Sequence, residues 1–161
     1  MLRSEPFFMS PGTAFALPTE DEPSRGRILV FNVSEAKSLK LVTEKEVKGA
    51  VYSLEPFNGK VLAAVNSKVI LLKLADTDDG GKELVSECGH HGHVLALYLK
   101  SRGDFIVVGD LVKSMSLLLY KPLDGNIEEV SFPQIFSFFH FQRVKPNSMF
   151  DRLPVTTTLI T

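Results

Sequence analysis

An all-β fold built from repeated four-stranded units is predicted by three observations. Short apolar runs rich in β-branched residues recur along the chain, among them 27–33, 61–65, 69–74 and 105–108, and this composition favours strands over helices. The order of runs and turns also repeats: Val51 and Val94 lie 43 residues apart, and Gly59 and Gly103 lie 44 apart. No stretch carries a helical apolar period with a cap at both ends. A β-sandwich also has strands at short intervals, but here a whole four-strand order returns every ~40–45 residues, the period of propeller blades. The expected architecture is a partial WD-repeat-like β-propeller of about two to three four-stranded blades, with an irregular C-terminal tail.

The elements follow in order. Residues 1–26 read as a strand remnant and an exposed acidic, proline-rich loop carrying Pro18, Glu20, Asp21, Glu22 and Pro23. Residues 27–130 carry the blades. The first copy runs through 27–33, a polar loop at 34–38, a charged strand at 39–47, and the pair 50–54 and 61–65 around Asn58-Gly59. That dipeptide signals a tight hairpin, because both turn positions need positive φ. The second copy runs through 69–74, a loop at 76–81, a charged strand at 82–88, and the pair 94–99 and 105–108. A third opens with 116–121, 122–125 and 126–130 and then stops. Residues 131–161 look foreign to the repeat: six of the 12 Phe fall between Phe132 and Phe150, and Pro133 would block a central strand. They read as a divergent tail, for which a splicing change is favoured over a terminal cap.

With 161 residues, 44% apolar and 23% charged, the chain has the composition of a soluble globular domain. Its 18 basic and 19 acidic residues give a net charge of -1, which leaves no basic excess to neutralise phosphates, so direct nucleic-acid contact is not expected. The lone cysteine, Cys88, cannot form an internal disulfide and points to a reducing compartment. Residues 1–8 lack the apolar core of a secretory signal, and the longest apolar runs, 69–72 and 117–120, are too short to span a membrane.

Catalytic chemistry is sparse. Cys88, His90, His91 and His93 form the one cluster of ligand-type residues. Zinc takes about four ligands, commonly in paired spacings, and no second half is present. With Gly89 and Gly92 the run reads as a polar inter-strand loop, and no metal or cofactor is expected. Asp78-Asp79 and Glu128-Glu129 lack partners for acid–base work and read as solvated charges. No nucleophile triad or phosphate loop is visible, so the chain is expected not to be an enzyme.

The runs EKEVKGAVYSL (44–54), FNGK (57–60), CGHHGH (88–93), ALYL (96–99), RGDFIVVGDL (102–111) and SLLLYKP (116–122), with Gly12-Thr13-Ala14 and Gly26-Arg27-Ile28, resemble the third propeller of the DNA damage-binding protein 1 family. The His-His-Gly-His form is most similar to its plant members. The resemblance covers about residues 12–130, a small part of a family built of three propellers and a helical C-terminal domain. Splicing and polyadenylation factors share the architecture more loosely. The resemblance implies a non-catalytic adaptor of a cullin-4 RING ubiquitin ligase, linked to DNA repair and protein turnover in the nucleus and also the cytoplasm. Its implied partners are the substrate-receptor proteins of that ligase, held in a cleft between propellers. Family members end the strand corresponding to 69–74 in a receptor-contacting tryptophan, where this chain has Leu74 and has no Trp at all. Tyr52, Leu74 and Tyr98 are the candidate partner-binding residues, each also suited to packing between blades. An open arc of blades leaves strand edges and apolar faces uncovered, so the isolated chain is expected to be marginally stable or partner-dependent.

Overall fold

The computed structural model describes residues 7–19, 22–33, 38–130 and, as backbone, 158–160. Among these residues all regular structure is β. The first sheet comprises β1 (Phe7–Pro11), β2 (Gly26–Val33) and β3 (Leu39–Val47). The second holds β4 (Val51–Phe57), β5 (Lys60–Val65), β6 (Lys68–Asp76) and β7 (Lys82–His91). The third holds β8 (Ala96–Arg102), β9 (Phe105–Asp110), β10 (Met115–Lys121) and β11 (Asn126–Glu129). The second and third sheets follow chain order and every pairing is antiparallel. The first gains its fourth strand from β12 (Thr158–Ile160), which pairs with β1 through Phe7 opposite Ile160 and Met9 opposite Thr158. Three stacked four-stranded sheets are the blades of a partial propeller.

The repeating unit of the sequence straddles two sheets. Its first two strands are the outer half of one blade, and its last pair is the inner half of the next. Strand pairing also corrects the spacing. Val51 faces Val65 and Ala96 faces Asp110 at corresponding places, so the blades repeat at 45 residues, not 43 or 44. The landmarks explain the offset: Gly59 is the second residue of its turn whereas Gly103 is the first of the next, and Val94 lies two residues before β8. Both blades carry the same bulge, between Val51 and Ser53 and between Ala96 and Tyr98. Asn58-Gly59 makes the expected two-residue hairpin, with φ of 48° and 73°.

β5 shows why the stack holds. Its residues Val61, Leu62, Ala63, Ala64 and Val65 are all buried. Successive strand side chains point to opposite faces, and here both faces are covered. Val61, Ala63 and Val65 join Met9, Ile28, Val30 and Val47 of the first sheet in one core cluster. Leu62 and Ala64 join Ala96, Ile106, Val108 and Leu118 of the third sheet in another. A strand sandwiched on both sides has no reason to alternate polar and apolar residues. Polar ties reinforce the second joint. Lys60 Nζ donates to Glu87 at 2.7 Å and to Tyr120 Oη at 3.2 Å, and the bond to Glu87, more than the hydroxyl, raises the Lys60 pKa despite some desolvation. On the inner strands, Lys100 Nζ and the Ser101 N–H donate to the buried Glu55 carboxylate at 3.1 and 3.3 Å.

One sequence expectation needs correction. Cys88, His90 and His91 are not in a loop but form the last residues of β7, paired with Leu71, Val69 and Lys68. The ladder with β6 continues through Gly89, which lies so close to the Val69 carbonyl and Ile70 that a Cβ would sit 3.0 Å from that oxygen. The divergent tail falls outside the described residues except for β12.

Candidate interaction surface

Alternating strand directions place the connections at two ends of the stack. The loop after β1, the β3–β4 link at 48–50, the turn Asn66-Ser67, the β7–β8 link at 92–95 and the loop at 111–114 share one rim. Hydrogen bonds across sheets fix this arrangement: Asn66 Nδ2 donates to the Pro23 carbonyl at 3.0 Å, and the Ala96 N–H donates to the Asn66 carbonyl at 2.8 Å. The opposite rim carries Asn58, Asp78, Asp79, Asp104 and Asp124, and Asn58 reaches Asp104 at 3.1 Å.

The two rims differ in chemistry. The first exposes Phe15 (51%), Leu17 (61%), Val94 (44%), Leu111 (61%) and Val112 (68%). Beside them Phe15, Ala16 and Leu17 line a groove against Val47, Lys48, Arg25 and Glu46. On the second, Leu123 is the exposed large apolar residue of the described turns, with Leu39 and Phe105 exposed at the strand starts beside them, among several carboxylates. An apolar row framed by charged groups suits protein contact better than small-molecule chemistry.

Each link on the apolar rim is held by one side chain. At the first joint, Asn66 Oδ1 accepts the Ala50 N–H at 2.7 Å. Asn66 itself adopts positive φ (46°), a conformation asparagine tolerates better than most residues. At the second, the Asp110 carboxylate accepts the N–H groups of Val94 (2.7 Å), Val112 (2.8 Å) and Lys113 (2.9 Å). Burial pushes the Asp110 pKa up, but these backbone donors together outweigh it and hold the carboxyl below its ordinary value. Against this clamp pack two imidazoles. The His93 side chain is 1% exposed, with Nδ1 3.7 Å from Asp110 Oδ2, and its ring centroid lies 5.6 Å from that of His90. Burial, then the His90 ring, lower the His93 pKa, against the pull of Asp110 and Glu129. Burial also raises the Cys88 pKa, so its thiol is kept from becoming a nucleophile. Among the described residues no group of three or more His, Cys, Asp and Glu is placed to hold a metal.

The three sequence-predicted contact residues lie apart. Tyr52 sits at the bulge of β4, 38% exposed. Leu74 is half-buried and packs into the core between the first and second sheets. Tyr98, 71% exposed, stands on the face of the third sheet that points away from the second, its ring over Gly109. The apolar rim was missed because its residues are scattered singly through loops. The signal available was Leu111-Val112, an apolar pair directly after Gly109-Asp110, the last two residues of β9.

Residues 8–131 match the family model described as the CPSF A subunit region. The chain is 65% identical to DNA damage-binding protein 1a of Arabidopsis thaliana over 118 residues, which is 73% of this chain and 11% of that protein. It is 63% identical over 119 residues to DNA damage-binding protein 1 of Solanum lycopersicum, and 62% identical over 120 residues to that of Oryza sativa subsp. japonica, again covering 11% of each relative. The chain thus spans about a tenth of the length of these relatives. A family match across most of the chain, from within β1 to just past β11, shows that the chain belongs to the CPSF A subunit region family.

Proposed function

We propose that this chain is the blade-bearing segment of a non-catalytic scaffold, the adaptor subunit of a cullin-4 RING ubiquitin ligase that acts in the nucleus in DNA repair and protein turnover. The observation that carries this reading is identity of 62–65% over 118–120 residues to proteins named DNA damage-binding protein 1. The apolar rim supports it, because Phe15, Leu17, Leu111 and Val112 offer anchors for a partner polypeptide. The near-zero net charge agrees with DNA being contacted by a partner and not by this segment.

The test is capture of purified substrate-receptor proteins of a cullin-4 ligase by the immobilised full chain. A receptor is expected to be retained, and retention is expected to fall about tenfold or more when Leu111 and Val112 are both changed to Glu, the loss of ~1.4 kcal/mol or more. Capture unaffected by those changes would remove the rim from the proposal. No capture of any receptor would count against the adaptor reading. The name of the matched family model favours a second reading, a scaffold subunit of an RNA-processing complex, which predicts capture of polyadenylation or splicing subunits in the same assay.

A further inference from the structure

We infer that His93, buried against His90 and Asp110, is a proton-operated latch on the joint between the second and third blades, closing the rim while its imidazole is neutral and releasing it when the ring is protonated. The latch does not depend on which partner the rim takes.

Geometry supplies the reason. Among the described residues, neither ring nitrogen of His93, nor Nε2 of His90, has a hydrogen-bond partner. A neutral imidazole tolerates this far better than a cation does, since a buried charge needs pairing and hydrogen bonds. The charged and titratable groups facing His93 come from every surrounding element. His90 lies on β7, Asp110 ends β9, Lys113 lies in the following loop and donates to the Gly92 carbonyl at 2.6 Å, and Glu129 ends β11, 4.0 Å from His90 Nε2. Asp110 and Glu129 favour a cation; lost water, His90 and Lys113 oppose it. Asp110 is the strongest candidate to rescue the charge, but its oxygens are already committed to three backbone N–H groups. Its 3.7 Å separation from His93 Nδ1 is too long for a charge-assisted bond. Desolvation therefore prevails and the folded-state pKa lies below the ordinary 6.5. The unfolded chain takes up a proton near 6.5 and the folded chain resists until lower pH. Stability is thus level above 6.5 and falls as pH drops below it.

The first joint is a built-in control. There Asn66, a neutral amide, clamps Ala50, and the residue before the clamped N–H is Gly49 where the second joint has His93. Among the described residues the nearest imidazole there is His91, whose Nε2 lies 3.3 Å from Ser67 Oγ at an exposed site beside the clamp and not on it, so Ala50 should keep its protection in this range.

The experiment is backbone hydrogen exchange on the full chain at about pH 7.5 and about pH 5.5, corrected for the intrinsic rate, with the His93 ring titrated by NMR across the same range. Protection at Val94, Val112 and Lys113 is expected to drop at the lower pH while Ala50 keeps its own. The His93→Gln variant is expected to show no such pH dependence, and the His93 midpoint is expected below 6.5. A midpoint at or above 6.5 overturns the latch. So does an equal loss of protection at Ala50, or an unchanged loss in His93→Gln. If that variant does not fold, the ring titration and the Ala50 comparison in the unaltered chain decide alone.

Discussion

Changing Leu62 to glutamate is expected to unfold the chain, whereas the same change at Val107 is expected to leave it folded. The two residues occupy the same place in successive blades, 45 residues apart, each on the second strand of its sheet and paired with a leucine of the third (Leu71 and Leu117). Leu62 is fully buried because the third blade covers it. Val107 is 37% exposed on the outward face of the last described blade, beside Tyr98, Phe105 and Met115. Placing a carboxylate at the first site buries an unpaired charge, at a cost on the order of 5 kcal/mol or more, comparable with the whole stability of a domain. At the second site the charge stays wet, and the expected change is within ~0.5 kcal/mol. The Val107 variant should also be less prone to associate, since it breaks an exposed apolar face. Urea denaturation with size-exclusion chromatography measures both. Equal destabilisation at the two sites would show that Val107 is covered.

Asp110→Ala is expected to cost about 3 kcal/mol, because it strips the acceptor from three backbone N–H groups at once and bonds to a charged group count for ~1.5–3 kcal/mol each before the loop relaxes. Asp110→Asn, which keeps one oxygen, should fall between the two. The carboxyl titrates below its ordinary value of 3.8, so this stability is fully present above that value and is lost as pH falls through the lower folded pKa. The loss at Asp110 thus sets in at more acid pH than the loss at His93, which begins at 6.5. Chemical denaturation at neutral pH checks the magnitude; an alanine variant as stable as the parent would mean that water replaces the clamp without cost.

The strands were legible because local chemistry dictates them. β-branched runs and the Asn58-Gly59 turn marked β5 and its hairpin before any contact was known. Blade phase and spacing were not legible, since Gly59 and Gly103 look equivalent in sequence but take different places in their turns, and strand pairing alone shows that Val94 lies outside β8. The histidine run was misread for a related reason. Gly89 and Gly92 look alike in sequence, but Gly89 is a strand residue pressed on its neighbour while Gly92 lies just past the end of β7, in the link to β8. Buried His93 could not be told from an exposed loop histidine, because its burial comes from β9 and β11, far along the chain. The rim stayed invisible for the same reason: Phe15 and Val112 share a surface only once the blades stack.

A central blade covered on both faces separates a propeller arc from a two-layer sandwich, and the neighbouring methyls of Ala63 and Ala64 report it directly. In a methyl-resolved NOESY spectrum of the full chain, Ala63 is expected to contact methyls of the first sheet, such as Ile28 and Val30, and Ala64 those of the third, such as Ile106 and Val108. Contacts from both alanines to one sheet, or from one of them to none, would contradict the stacked-blade architecture on which the proposed scaffold rests.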